Sequence, residues 1–77
     1  MTAPGPQLLK PSVILKTSPQ TDSASIVKAF GCSRAVLYFW RERFGFPRGV
    51  RVGNTNMTAT PDIAAWASRY NVKVIWI

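Results

Sequence analysis

The stretch Ile26-Val27-Lys28-Ala29-Phe30-Gly31-Cys32-Ser33-Arg34-Ala35-Val36-Leu37-Tyr38-Phe39-Trp40-Arg41-Glu42-Arg43-Phe44-Gly45 decides the fold. Ile26, Val27 and Phe30 are spaced to share one helical face, and Thr21, Asp22 or Ser23 offers the N-cap before them. Gly31 then ends the helix, as the residue that enters the left-handed conformation without steric cost. Ser33 supplies a second N-cap, and Val36, Leu37, Trp40 and Phe44 recur at i, i+1, i+4 and i+8, an apolar stripe on a second helix closed by Gly45. Two short helices joined by the turn Gly31-Cys32-Ser33 read as a helix-turn-helix, the arrangement that offers its second helix to a DNA major groove.

Moving toward the C-terminus, Val50-Arg51-Val52 and Met57-Thr58-Ala59 flank the cluster Gly53-Asn54-Thr55-Asn56, the pattern of a β-hairpin with a short polar tip. A third helix follows, with Thr60 as N-cap, Pro61 at the first helical position and Asp62 complementing the dipole. Its Ile63, Trp66, Ala67 and Tyr70 share a face, and Asn71 ends it. Residues 72–77, Val-Lys-Val-Ile-Trp-Ile, are apolar and strand-like. Either they add a strand to the hairpin, or Ile75, Trp76 and Ile77 stay exposed as a protein contact.

Toward the N-terminus the composition changes. Pro4, Pro6, Pro11 and Pro19 block a helix over residues 1–20, which read as an extended or flexible arm. Ser12-Val13-Ile14-Leu15-Lys16 is the one run within it suited to a strand. The expected organisation is therefore an arm over 1–20, a DNA-binding unit over 21–71 and an apolar tail over 72–77, in an α+β winged helix-turn-helix class.

Seventy-seven residues carry ten Lys plus Arg against three Asp plus Glu, a net charge of +7, with no His and one Cys. A chain this short makes one domain and buries only about 60% of its unfolded surface, leaving little room for a deep cleft. No zinc ligand set, no Cys/His or Ser/His/Asp constellation and no surplus of paired carboxylates can be assembled, so neither an enzyme nor a cofactor is expected. The charge attracts polyanions. No apolar run approaches membrane-spanning length, and Met-Thr-Ala-Pro-Gly-Pro lacks the pattern of a secretory leader. The expectation is a cytoplasmic protein in which Cys32 is a turn residue without redox work.

Five of the ten basic residues, Arg34, Arg41, Arg43, Arg48 and Arg51, fall within 34–51, opposed only by Glu42. All are arginine, whose planar fork suits phosphates and guanine edges. A helical wheel turns Ala35, Tyr38, Phe39 and Glu42 away from the apolar stripe, with Arg34 and Arg41 flanking. Each arginine alone also fits a solvated helix face. Together with a hairpin that carries Arg48, Arg51, Asn54 and Asn56, they point to double-stranded DNA, met by the second helix and by a wing reaching the adjacent backbone or minor groove.

The runs Gly31 to Trp40 and Phe46-Pro47-Arg48-Gly49-Val50-Arg51-Val52-Gly53, with Trp66 in the third helix, resemble the winged-helix excisionases and the AlpA-like and MerR-like DNA-binding domains. The resemblance spans about Thr21 to Tyr70, and the Phe46 to Gly53 run is its most specific part. It implies that Ser33, Arg34, Ala35, Tyr38 and Phe39 face the DNA groove, that Trp40 and Trp66 are core, and that Arg48, Arg51 and Asn54 belong to the wing. Val36 and Gly49 depart from the family's Thr and second Pro. Ala35 and Phe39 are apolar where relatives are often polar, which shifts the expected readout toward thymine methyls and DNA shape. The implied role is that of a recombination directionality factor: several copies bind side by side on attachment-site DNA, bend it and assist an integrase. An AlpA-like transcriptional regulator of a mobile element is the alternative.

Overall fold

The computed structural model describes residues 9–77; the first eight residues of the N-terminal arm lie outside the described residues. The chain forms a small α+β fold in the winged helix-turn-helix arrangement, in the order β1 (Ser12–Leu15), β2 (Gln20–Asp22), α1 (Ser23–Phe30), α2 (Arg34–Arg43), β3 (Val50–Val52), β4 (Thr55–Ala59), α3 (Thr60–Arg69) and β5 (Lys73–Trp76).

The helix boundaries follow local chemistry. Of the three candidate caps for α1, Asp22 is the one used: its carboxylate accepts from the Ser25 N–H at 3.2 Å. That hydrogen-bonded environment, the Ser25 hydroxyl above all, holds the Asp22 pKa below its usual value despite some desolvation. Ser33 caps α2 by accepting from the Val36 N–H at 3.1 Å. Gly31 sits at φ 65°, and Asn71 at φ 61°. At the end of α3, Val72 N–H donates to Ala67 O at 2.9 Å and Asn71 N–H to Ser68 O at 3.1 Å, the paired bonds of a Schellman turn.

Thr60 differs from its expected capping role. It is the first residue of α3, Ala59 precedes it without a side-chain cap, and Pro61 lies in the first turn. The Thr60 hydroxyl is buried and bonds the Thr21 hydroxyl at 2.6 Å, which joins α3 to β2. A buried hydroxyl needs a partner more than an exposed helix end needs a cap.

Two sheets flank the helices. β4 pairs antiparallel with β3 (Val52↔Thr55) and on its other edge with β2 (Thr21↔Thr58), so the wing is part of a three-stranded sheet. Both edges of β4 are thus occupied, and the tail does not extend the hairpin. Instead β5 pairs in parallel with β1, in the register Val13↔Val74 and Ile14↔Ile75. Burial explains the choice: Val13 and Leu15 point into the core, and Val74 packs against it from β5. The run Ser12–Leu15 within the arm is therefore a strand of the fold. The hairpin turn is also tighter than the expected four-residue tip, because Thr55 and Asn56 belong to β4 and only Gly53 and Asn54 lie between the strands.

The core is aromatic. Phe30 meets Trp40, Phe46 and Trp66 edge-on at centroid distances of 5.9, 5.8 and 6.1 Å, and Ile26 and Ile63 are fully buried beside them. Removing each of these side chains from water contributes about 2 kcal/mol before any geometric preference of the rings. Val27, Val36 and Phe44, expected on the apolar stripes, are only half-buried and pack on the rim. On β3, Val50, Arg51 and Val52 are all exposed, so its alternation has no buried face: it is the outer strand of the wing.

Candidate nucleic-acid interface

The ten residues expected to meet DNA do not share one environment. Arg34 opens α2, directly after the Ser33 cap, and is exposed. Arg51 lies on β3 opposite Asn56 in the ladder, and its Nε makes a long 3.4 Å bond to Gly53 O at the turn. Arg34, Arg51, Asn54 and Asn56 line one polar groove of about 350 Å³ between the wing and the start of α1, where Asp22, Ser23 and Ala24 form the opposite wall. This convergence joins residues from α2 and the hairpin that are seventeen or more positions apart in sequence.

Charge in the groove is weighted to the cationic side. Asp22 is already engaged by the Ser25 backbone and hydroxyl. Among the described residues the one ion pair is Arg48 to Glu42 at 3.1 Å, so neither Arg34 nor Arg51 is in ion-pair contact with a carboxylate, although Asp22 lines the same groove. Both guanidinium groups retain donors for an anion.

Three expected contact residues are placed differently. Arg41 is half-buried: its Nε donates to Pro47 O at 3.1 Å, its Nη2 to the Thr58 hydroxyl at 3.2 Å, and its Cζ stands 5.8 Å from the Phe46 ring centroid. Desolvation lowers its pKa, and the nearby Arg48 charge adds to that. Arg41 therefore ties α2 to the base of the wing. Arg48 is exposed but engaged by Glu42. Asn56 sits beneath Gly49 with a buried Oδ1 that has no hydrogen-bond partner among the described residues. A Cβ at Gly49 would run into that oxygen and fall 2.7 Å from Met57 O, so the close approach requires glycine.

Ala35, Tyr38 and Phe39 are exposed on the outer face of α2, Tyr38 at 64% and Phe39 at 49%. This face offers methyl and ring surface, with the Tyr38 hydroxyl its one side-chain hydrogen-bonding group among the three. Ile75, Trp76 and Ile77 are exposed as well, although Ile77 is tied into the fold by N–H to Leu15 O and by the Thr17 N–H to its own carbonyl, each at 3.0 Å. The wall formed by Asp22, Ser23 and Ala24 was not among the expected contact residues; the capping pattern at Asp22 marked a helix start, and nothing local marked its distance from the wing.

No helix among the described residues is long and apolar enough to cross a membrane. Comparison with protein-family models, with characterised proteins and with solved structures returns no match.

Proposed function

We propose that this chain is a sequence-specific double-stranded DNA-binding protein that serves as an excisionase, or recombination directionality factor, of a prophage or integrative element. The observation that carries the DNA-binding part is the convergence of Arg34 and Arg51 on one groove, with neither ion-paired. α2 enters the major groove with Ala35, Tyr38 and Phe39 toward the bases, and the wing brings Arg51 and Asn54 to the adjacent backbone. With few polar groups on the outer face of α2, discrimination comes from thymine methyl contacts and from sequence-dependent DNA shape.

The excisionase role rests on the resemblance of residues 31–53 and Trp66. The net charge of +7 supports a polyanionic partner. The exposed Ile75, Trp76 and Ile77 support contact with a neighbouring copy or with an integrase once DNA has neutralised the repulsion between copies. The protein acts in the cytoplasm, with no cofactor and no membrane partner.

The test adds purified protein to a site-specific integrase and its attachment-site DNA. Stimulated excision together with a bent, multiply occupied site is the expected result. Binding and promoter control without any effect on excision would move the assignment to an AlpA-like regulator, and preference for liposomes or single strands over duplex would remove both.

A further inference from the structure

On the side of α2 away from the wing, an aromatic ladder runs from the core to the surface. The Trp66 ring lies 5.0 Å from Tyr70, Tyr70 lies 6.5 Å from Phe44, and Phe44 lies 5.8 Å from the half-exposed Phe39. Two of these rings, Phe39 and Tyr70, carry a guanidinium. Arg43 Cζ stands 5.8 Å from the Phe39 centroid, and Arg69 Cζ stands 6.0 Å from that of Tyr70. Arg43 and Arg69 are exposed, and neither is in ion-pair range of a carboxylate among the described residues.

A guanidinium held beside a ring by cation–π attraction keeps N–H groups free to grip a phosphate. It also limits the rotamers the long side chain must give up on binding. The two cations come from different helices, so the fold sets their spacing.

We infer that Arg43 and Arg69 form a second phosphate-binding site, for the DNA strand opposite the one met by Arg34 and the wing. The inference rests on the duplex-binding reading above. Helix geometry carries it further: nine positions at about 100° each put Arg43 half a turn around α2 from Arg34. A helix about 10 Å across fills a major groove about 12 Å wide, so the backbones of both strands run along its two flanks. Arg34 and Arg51 serve one strand, and Arg43 with the α3 residue Arg69 serves the other.

The experiment is a salt titration of duplex binding with Arg43→Gln, Arg69→Gln and the double variant, alongside strand-resolved hydroxyl-radical footprinting. Each single change is expected to lower the log-log salt slope by about 0.9 and to weaken binding about fivefold at 0.15 M salt, on unrelated as well as specific duplexes. Protection should fade on one strand and persist on the other. Phe39→Leu, which keeps the Arg43 charge but removes its ring and a group set toward the bases, is expected to weaken binding while leaving the salt slope unchanged. If the double variant keeps the wild-type slope and footprint while Arg34→Ala weakens binding, the inference is overturned and the ladder is a protein-contact surface instead. If the wild-type protein binds no duplex, the underlying DNA reading fails, and that outcome is distinct.

Discussion

The two flanks of α2 are fastened to the rest of the molecule by different chemistry. On the wing flank the link is polar and directional: Arg41 spans from the helix to Pro47 O and to the Thr58 hydroxyl of β4. On the far flank the link is aromatic, through Phe39, Phe44 and Tyr70, with Trp66 Nε1–H donating to Phe44 O at 2.9 Å behind the rings. The hydrogen bonds of Arg41 hold the hairpin at one distance from the helix, whereas edge-on rings, backed by donors from Trp66 Nε1 and from the Tyr70 hydroxyl (3.3 Å) into Phe44 O at the helix end, anchor the helix to α3. Two arginines on one helix thereby differ in role: Arg41 sets the wing's position, and Arg34 remains free to bind.

The largest test of that contrast is Arg41→Met. It fills much of the same space, but it strands the buried Thr58 hydroxyl and the Pro47 carbonyl. A loss of about 2 kcal/mol is expected, seen as a melting temperature lower by about 10 °C, with duplex affinity falling alongside. A melt unchanged from wild type would show that strand pairing alone holds the wing.

Smaller effects are expected at the groove. Arg34→Ala and Arg51→Ala should each weaken duplex binding about fivefold at 0.15 M salt and lower the salt slope by about 0.9, with the melting temperature retained because both side chains are exposed. A lower melting temperature for Arg34→Ala comparable to that of Arg41→Met would erase the distinction between the two residues.

The smallest expected effect concerns the α1 wall of the groove. Asp22→Ala removes the cap and costs about 1 kcal/mol, whereas Asp22→Asn keeps a capping oxygen and stays close to wild type at neutral pH. Because the folded-state pKa of Asp22 is held below its usual 3.8, its stabilisation is complete well above that value and fades as the pH falls through the folded pKa. Acid melts should therefore show a steeper loss for wild type than for Asp22→Asn. Parallel acid curves would remove the carboxylate from the account of the α1 start.

Elements with local causes were legible from sequence. Both ends of α1, the start of α2 and the end of α3 follow from Asp22, Gly31, Ser33 and Asn71, whose hydrogen bonds close within a few residues. The Phe30, Trp40 and Trp66 part of the core follows from helical spacing, whereas the core ring Phe46 lies between α2 and β3. Long-range partners were not legible. The pairing of β1 with β5 joins opposite ends of the chain, and β2 reaches β4 across α1, α2 and β3. Residues 20–22 read as the approach to a helix because three residues are too few to show strand periodicity. The pattern Val50-Arg51-Val52 correctly indicated a strand, but not that both of its faces are exposed.

The sequence by itself determined three helices, a hairpin, an apolar core and a concentration of arginine between 34 and 51, since spacing, capping and charge are properties of neighbours along the chain. Only the tertiary structure decided which arginines are available. Arg41 is held by Pro47 and Thr58, Arg48 by Glu42, and Arg34 and Arg51 are left facing one groove. The physical reason is that burial and hydrogen-bond partners arise where distant segments meet, and five arginines identical in composition become different groups once their surroundings differ.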